Sequence, residues 1–305
     1  MMRARRDRSI MTLPRFFQLD VFGSRPGNGN PLGVVLGATD WSDAAMQAFA
    51  HWTDLVETTF VLRPTHAESD YRLRIFTPQR EIAFAGHPTI GSAYVVLKTG
   101  FAIPRAGLVL QECGAGLLPI RVHAEGVEHG LSVRAPAARV LTAPDDGIAL
   151  LHAACAGLEL VERAPSLVEG GRSWWIAEAR SEAGLRAWQP DHAAILELAR
   201  ATEAIGLCAF ARSNATTYQL AVRAFPAAVG IVEDPASGAA NGLIGALIAR
   251  QDPDSPLALG YRVNQGREIG RDALIDIAFG AGQSVWVGGR SHLVVQGQLT
   301  WPGQI

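Results

Sequence analysis

A short pattern occurs twice in this chain of 305 residues, once in each half. The first copy runs from Gly86 to Ala93 with the sequence GHPTIGSA, and the second runs from Glu233 to Ala240 with the sequence EDPASGAA. The copies share a proline, a glycine and an alanine at matching positions, 147 residues apart (234 − 87 for the aligned pair His87 and Asp234). A repeat close to half the chain length predicts a duplicated lobe rather than an array of short units.

The repeat places unlike titratable side chains, His87 and Asp234, at the same position of its two copies. Two similar lobes that offer such a pair to one cleft suit an enzyme that transfers protons. The ordinary pKa of histidine lies near neutrality, which suits a proton shuttle. Glu233 lies directly beside Asp234, and a like charge raises the pKa of a carboxyl group. An Asp before a helix is also a frequent N-cap, so both roles stay open for Asp234.

Each copy is also predicted to lead into a helix rich in small residues. Pro88 suits a first helical turn, with a helix over 89–98, and Pro235 is expected to open a helix that runs to about Arg250. A helix N-terminus carries unpaired N–H groups and attracts a carboxylate, and small residues let a ligand approach the backbone. One copy alone would suit an ordinary strand-to-helix turn. The duplication favours two helix ends that clamp a small anionic substrate.

The composition excludes several classes of protein. Hydrophobic residues make up 48% and charged residues 18%, as in an ordinary soluble globular protein, and the net charge of −2 predicts no nucleic-acid partner. No apolar run reaches about 18 residues, so no membrane partner is expected. The three cysteines form no C-x-x-C pair, which predicts neither a zinc site nor a disulfide framework and suits a cytoplasmic location. Residues 1–11 are interpreted as a disordered tail, with Met11 as a second possible start.

Alternating and β-branched segments predict strands in both halves, for example over 15–22, 31–36, 71–76, 218–225 and 274–279. A helix with Ser42 as its cap is predicted between the second and third strands. The likeliest boundary lies near residues 122–129, which gives an N-terminal lobe over 12–125 and a C-terminal lobe over 126–305. The last strand can return to the N-terminal lobe. The predicted class is α+β, with two lobes and a cleft between them.

Glu57 is a third candidate for acid/base chemistry. It begins an apolar strand over 57–62, directly after a predicted helix. A carboxylate in that position costs free energy to desolvate unless it has a partner or a task. A solvent-exposed glutamate at the rim is the alternative, and the local sequence alone favours it somewhat.

Taken together, these segments resemble the PhzF family of phenazine-biosynthesis-like proteins, from Phe16 to the end of the chain. The resemblance depends on five ordered motifs and a late segment: DVF over 20–22, GNP over 29–31, ETTFV over 57–61, GHPTIG over 86–91, EDPASG over 233–238 and QGREIGR over 265–271.

The resemblance implies the diaminopimelate-epimerase type of fold, in which each lobe is a curled, mostly antiparallel sheet around a central helix. It implies a cofactor-independent isomerase without a metal, commonly a homodimer, that moves a proton within a small carboxylate-bearing substrate. Glu57 would carry the proton, and His87 and Asp234 would assist the transfer. The substrate-binding positions would be Gly86, Ser237, Gly238 and Ala239, with backbone N–H groups supplied by the two glycines.

The chain departs from the family pattern at two positions. Val56 precedes Glu57 where a serine is usual, and Ala239 replaces a serine that helps to bind the substrate. Each lost hydroxyl removes a hydrogen bond worth about 0.5–1.5 kcal/mol. Substrate recognition is therefore expected to differ more than the chemistry. The cysteines lie outside both motifs, which argues against the two-thiol mechanism of epimerases with this fold.

Three hypotheses follow for the function. The leading one is an isomerase in which Glu57 removes a proton and returns it elsewhere on the same molecule. The second is an epimerase or lyase that acts on an amino or hydroxy acid, with Glu57 and either His87 or Asp234 on opposite faces of the substrate. The third is a metabolite-binding homologue that has lost its activity, which Val56 and Ala239 would favour.

Overall fold

The computed structural model describes residues 13–123, 126, 130–144 and 146–303. The predicted tail over 1–11 and part of the predicted boundary near 122–129 lie outside the described residues. The helices are α1 (Asp43–Thr53), α2 (Gly86–Lys98), α3 (Gly147–Ala154), α4 (Glu182–Ala187), α5 (His192–Ala201) and α6 (Gly238–Gln251). Within the described part of the chain, none of them combines the length and the apolar character that a membrane-spanning helix needs.

The strands of the N-terminal half are β1 (Arg15–Val21), β2 (Asn30–Leu36), β3 (Thr58–Leu62), β4 (Tyr71–Phe76), β5 (Glu81–Ile82), β6 (Leu108–Cys113), β7 (Gly116–Val122) and β8 (Leu131–Arg134). Those of the C-terminal half are β9 (Arg139–Leu141), β10 (Ser166–Gly170), β11 (Arg172–Glu178), β12 (Gly206–Arg212), β13 (Leu220–Phe225), β14 (Tyr261–Gln265), β15 (Ala273–Phe279), β16 (Val285–Gly289) and β17 (Ser291–Gln298). The strands predicted over 15–22, 31–36, 71–76, 218–225 and 274–279 are present with ends that differ by at most two residues, whereas strands such as β6, β10, β11 and β12 were not predicted.

The two halves repeat one topology. In the first, the hairpins β1–β2, β3–β4 and β6–β7 are joined side by side through the parallel pairs β2–β3 and β4–β6. In the second, the hairpins β10–β11, β12–β13 and β14–β15 are joined in the same way through β11–β12 and β13–β14. A helix connects the second hairpin to the third in each half, α2 in one and α6 in the other. The duplication inferred from the short pattern is thus a duplication of the whole lobe.

Two pairings connect strands of the N-terminal half to strands of the C-terminal half. β8 pairs with β16, which connects the third hairpin of one lobe to that of the other. β17 pairs with β1, so the last strand lies against the first strand of the chain. The result is one large curled sheet, mostly antiparallel, in an α+β protein.

The helices α2 and α6 form the centre of the molecule. Ten of the 13 residues of α2 and ten of the 14 residues of α6 are buried, and side chains from both helices contribute to one apolar core that spans the two lobes. A helix that is enclosed on all sides needs no polar face, which is why neither segment shows a marked amphipathic pattern. The other helices pack on the outside, with α1 over β2, β3 and β4 and with α3, α4 and α5 over the second lobe.

The starts of the central helices differ from the prediction. α2 begins at Gly86, three residues earlier than expected, and α6 begins at Gly238, three residues after Pro235. Pro235 does not open the helix because the Asp234 carboxylate accepts a hydrogen bond from the Ala236 N–H, which forms a turn, and the Ser237 hydroxyl caps the helix. The helix starts are 152 residues apart (238 − 86). His87 and Asp234 are therefore not at equivalent positions of the two helices, as the aligned pattern had suggested.

A substitution at Gly91 tests how closely α2 packs on the sheet. A Cβ at this position would lie 2.5 Å from Leu32 Cδ2 and 2.7 Å from Val21 Cγ2, both of them in the core. We expect Gly91→Val to lower the free energy of unfolding by about 1–3 kcal/mol, because an overpacked core is strained. Urea denaturation measures this change as a lower midpoint at constant slope. Gly297→Val is the control, since nothing lies within 4 Å of its Cβ position, and an equal loss there would contradict the packing argument.

Candidate active site

Glu57 and His87 face each other at the start of the central helix of the first lobe. Glu57 lies between α1 and β3, just after Asp54 ends α1 in a left-handed conformation (φ 53°). His87 is the second residue of α2. Glu57 Oε2 lies 3.3 Å from His87 Nε2, and the two side chains are 12% and 8% exposed. Among the described residues neither of these two atoms has a hydrogen-bond partner, so both remain available to a ligand.

The N-termini of the two central helices meet beside this pair. A Cβ built on Gly86 would lie 3.5 Å from the Gly238 Cα, and one built on Gly238 would lie 3.6 Å from the Gly86 Cα. No side chain separates the two helix starts, because both contact residues are glycines. The first N–H groups of a helix have no partner within the helix and carry a partial positive charge. Two such ends therefore point their positive charge into the same small volume.

Asp234 belongs to the turn that precedes α6. Its Oδ1 accepts hydrogen bonds from the Ala236 N–H at 3.1 Å and from Asn30 Nδ2 at 3.0 Å. Its backbone N–H donates to the Ala224 carbonyl at 2.8 Å, which ties the turn to β13. Asn30 lies at the start of β2, so the contact between the two side chains joins the lobes.

Gln265, at the end of β14, holds the same turn from within the second lobe. Its Nε2 donates to the Asp234 carbonyl at 2.8 Å. Its Oε1 accepts from the Ser237 N–H at 3.2 Å and from Asn241 Nδ2 at 2.8 Å. The side chain is fully buried, so these three bonds fix the turn against the helix that follows it.

Burial shifts the pKa of all three titratable groups. It raises the pKa of Glu57 to about 8, and the negative charge of Asp234 adds to the effect. It raises the pKa of Asp234 to about 6, although hydrogen bonds from Ala236, Ser237 and Asn30 oppose the shift. It lowers the pKa of His87 to about 3, against the effect of a hydrogen bond with the Pro31 backbone. Desolvation disfavours the charged form of each group, which explains why carboxyl groups and imidazole shift in opposite directions.

These shifts change the expected role of His87. At neutral pH its imidazole is neutral and Glu57 carries the proton, so the contact between them is not an ion pair. The ordinary histidine pKa, on which the proton-shuttle role was based, does not apply to His87, because burial at the helix start lowers its pKa. A neutral imidazole still donates or accepts a hydrogen bond, and it can orient a ligand or the Glu57 carboxyl group.

The structure brings most of the predicted site residues together. Glu57, His87, Gly86 and Gly238 lie around the meeting point of the helices, and Asp234 is close enough to Glu57 to influence its pKa. Ala239 is exposed at the start of α6. The Ser237 hydroxyl is engaged within the protein, where it accepts from the Ala240 N–H and hydrogen-bonds the Asp234 carboxyl group.

Glu233 has a structural role that its position beside Asp234 did not reveal. Its carboxylate forms a two-pronged ion pair with Arg223, at 3.0 and 2.8 Å, and both side chains are buried. Arg223 also donates to the carbonyl groups of Trp188 and Leu185. Glu233 contributes to the raised pKa of Asp234, as predicted, but burial of Asp234 is the main cause.

The sequence reasoning assigned no role to Asn30 or Gln265. Both lie in motifs that support the family resemblance, GNP over 29–31 and QGREIGR over 265–271. Their partners, however, lie 204 and 31 residues away along the chain, and no local pattern indicates such contacts. The two motifs thus marked Asn30 and Gln265 in the sequence, whereas the hydrogen bonds that these residues make are visible only in the structure.

The architecture defines the class of protein: two lobes of one topology, with acid/base groups buried between the central helices. The family model of phenazine biosynthesis-like proteins (PhzC-PhzF) matches residues 19–297, and the chain belongs to this family. Antisense-enhancing sequence 1 of Schizosaccharomyces pombe is 31% identical to it over 297 residues, which cover 94% of this chain and 99% of the relative.

Two further comparisons concern the activity and the fold. The trans-2,3-dihydro-3-hydroxyanthranilate isomerase of Pseudomonas aeruginosa is 32% identical over 275 residues, covering 89% of this chain and 92% of that enzyme. The crystal structure of a PhzF-family phenazine biosynthesis protein from Bacillus anthracis superposes with a TM-score of 0.80 and 24% identity, covering 95% of this chain and 99% of that protein. These comparisons confirm the predicted family and fold class. Other relatives are also named isomerases, so the chain is an enzyme of the isomerase class.

Glu57→Gln is expected to change how stability depends on pH. The folded pKa of Glu57 is about 8 against an ordinary value of 4.5, so the folded state binds more protons than the unfolded state between these values. Stability of the native protein therefore falls as the pH rises through this window, by a few kcal/mol at most. The glutamine side chain does not titrate, so the variant lacks this loss. Its free energy of unfolding, relative to that of the native protein, should therefore increase as the pH is raised from 5 to 9.

Urea denaturation at pH 5, 7 and 9 measures this difference. Glu197→Gln is the matched control, because Glu197 is exposed on α5. If the difference in free energy of unfolding between Glu57→Gln and the native protein stays constant with pH, burial does not destabilise the ionised form of the Glu57 carboxyl group.

Proposed function

We propose that this protein is a cofactor-independent isomerase that moves a proton within a small carboxylate-bearing metabolite, with Glu57 as the proton carrier. The observation that carries the proposal is the pair formed by Glu57 Oε2 and His87 Nε2. The two atoms are buried, lie 3.3 Å apart and have no other hydrogen-bond partner in the described part of the chain. A buried acid that lacks a structural partner costs free energy, which is typical of a catalytic group.

The helix ends supply the site for the substrate carboxylate in this proposal. Backbone N–H groups at Gly86 and at Gly238–Ala239 would donate to it, since the starts of α2 and α6 meet there. The same positive ends would stabilise the negative charge that develops on the substrate when a proton leaves a neighbouring carbon. Fixed dipoles in a site shielded from water need no reorganisation during the reaction, so this contribution to the rate is large.

The proton route follows from the three pKa shifts. Glu57 must lose its proton to act as a base, and its pKa of about 8 makes it a stronger base than an exposed glutamate. It would take a proton from the carbon, hold it as a neutral acid in the buried site, and return it to another carbon of the same molecule. The neutral His87 would orient the carboxyl group, and Asp234 would hold a polar group of the substrate.

The first substrate to test is trans-2,3-dihydro-3-hydroxyanthranilate, the compound in the name of the Pseudomonas aeruginosa relative. The exposed Ala239 lies at the start of α6, where the family usually has a serine, and it offers no hydroxyl group to a ligand. Compared with a relative that keeps this serine, the present chain should therefore favour substrates that have one polar substituent fewer near the carboxylate. The physiological substrate is proposed only as a class, a small carboxylic acid with an acidic C–H bond. The homodimer and the cytoplasmic location remain predictions.

A second candidate is an epimerase that uses two acid/base groups. It is favoured by the fact that Glu57 comes from one lobe and Asp234 from the other, with each carboxyl group buried. One would remove a proton from a stereocentre and the other would donate a proton to the opposite face. Inversion of configuration without movement of a double bond would identify this reaction.

Proton NMR in heavy water with trans-2,3-dihydro-3-hydroxyanthranilate is the direct test. We expect the native protein and the control Glu197→Gln to form the isomer, with deuterium at the new C–H position only to the extent that Glu57 exchanges the held proton with solvent before it returns it. Glu57→Gln should lose at least about 100-fold of the turnover while remaining folded, because general acid–base catalysis contributes that much or more. Retained turnover in Glu57→Gln would overturn the assignment of the proton carrier. No turnover of this compound or of other small carboxylic acids, despite their binding, would favour a silent binding protein.

The pH dependence of kcat/KM gives an independent check of the direction of the first proton transfer. If Glu57 removes a proton first, kcat/KM should rise with pH through an apparent pKa near 8, the value that burial gives to this group. Asp234 is coupled to Glu57, so the apparent pKa of this pH profile describes the pair rather than one residue. A rate that falls through the same pKa would show that the protonated form acts first, as a general acid.

A further inference from the structure

We propose that Asn30 is a positioning residue of this site: its amide reaches across from the first lobe and holds the Asp234 carboxylate and the turn that begins α6. The proposal rests on the proposed function for the use of Asp234 in the reaction. Its structural basis is separate, because it depends on hydrogen bonds that exist without a substrate.

The amide nitrogen of Asn30 makes two hydrogen bonds to the other lobe. It donates to Asp234 Oδ1 at 3.0 Å and to the Ala236 carbonyl at 3.0 Å. Its partners lie 204 and 206 residues further along the chain, and Asn30 is only 1% exposed. Both hydrogens of the NH₂ group are therefore committed to one turn. An aspartate lacks these donors and a leucine has no polar group, so neither can replace the asparagine.

The segment before Asn30 holds the backbone of this residue in place. Asn30 pairs with Val21 in the β1–β2 ladder, and the Gly29 N–H donates to Asp20 Oδ2 at 2.7 Å. A Cβ at Gly29 would lie 2.2 Å from the Val21 carbonyl oxygen, so only glycine fits there. The DVF and GNP motifs of the sequence thus form one rigid support whose last side chain is Asn30.

Hydrogen bonds, rather than a cation, hold the Asp234 carboxylate. The acidic or titratable groups that face it are Glu57 from the segment before β3, Glu233 from its own turn and Cys208 from β12. Glu233 is paired with Arg223, and no Lys or Arg among the described side chains forms an ion pair with Asp234. The Ala236 N–H and the Ser237 hydroxyl belong to the same turn as Asp234. Asn30 is thus the donor that reaches this carboxylate from the opposite lobe.

This arrangement gives Asn30 an effect on the proton held by Glu57. A donated hydrogen bond favours the ionised form of Asp234, and the Asp234 charge in turn keeps the proton on Glu57. Without the amide, Asp234 would compete for that proton, and its carboxyl group would be held only from its own turn, by the Ala236 N–H and the Ser237 hydroxyl. Asn30 would thus act on the reaction through Asp234.

The test uses the substrate-free protein, with ¹³C label in the aspartate carboxyl groups. NMR titration follows the Asp234 resonance, which is assigned by its loss in Asp234→Asn. In Asn30→Leu we expect the Asp234 pKa to rise by at least about one unit, and in Asn30→Asp by more, because a second carboxylate then lies beside it. Asn28→Leu and Asn28→Asp are the matched controls, since the Asn28 side chain bonds to Ser24 in its own loop, and they should leave the titration unchanged.

Asn30→Ser covers the case in which the larger changes prevent folding. Its hydroxyl is a single donor, so the Asp234 pKa should lie between those of the native protein and Asn30→Leu. An unchanged Asp234 pKa in a folded Asn30→Leu or Asn30→Ser variant would overturn the proposal. Because no substrate is present, this result cannot be confused with a failure of the proposed function. Where turnover is measurable, kcat should fall in Asn30→Leu and the pH profile of kcat/KM should shift, whereas a purely structural residue would change only stability.

Discussion

The contact between the first residues of two buried helices determines the rest of this structure. Gly86 and Gly238 lie so close that a Cβ added to either would touch the Cα of the other, at 3.5 and 3.6 Å, and the two helix N-termini thus come together at the centre of the molecule. The lobes can then share a single apolar core around α2 and α6. The sheet follows the same two-fold plan, with three joined hairpins curled around each helix.

The chemistry of the site is a consequence of that closeness. Water is excluded where the helices meet, so the charged forms of Glu57, Asp234 and His87 are all disfavoured by burial. The three groups nevertheless end in different states at neutral pH. Asp234 receives several hydrogen bonds and stays mostly ionised, whereas Glu57 has none on its Oε2 atom and keeps its proton. Local hydrogen bonds, rather than residue type, thus separate an anchored carboxylate from a protonated carboxyl group.

The sequence predicted the lobes better than the details of the site. Strands alternate with a period of two because one face is buried, so segments such as Arg15–Val21 and Tyr71–Phe76 could be recognised locally. The repeat also indicated two lobes correctly. The aligned copies of the repeat did not predict where the two central helices begin. The turn at Asp234 and the cap at Ser237 depend on hydrogen bonds that the spacing of proline and glycine does not reveal. Asn30 was missed because its partners are more than 200 residues away, and the low pKa of His87 was missed because burial is a property of the fold.

The two lobes share one topology but contribute different groups to the site, as the starts of α2 and α6 show. α6 is capped by the Ser237 hydroxyl and is preceded by a turn fixed from both lobes, so its start is rigid. α2 follows Ala85, which offers no side-chain cap, and its first turn presents His87 to Glu57 instead. An exact duplication would place identical groups on both sides of the ligand. In the proposed mechanism a proton moves between groups with different affinities for it, and the asymmetry at the helix starts would supply that difference within a duplicated fold.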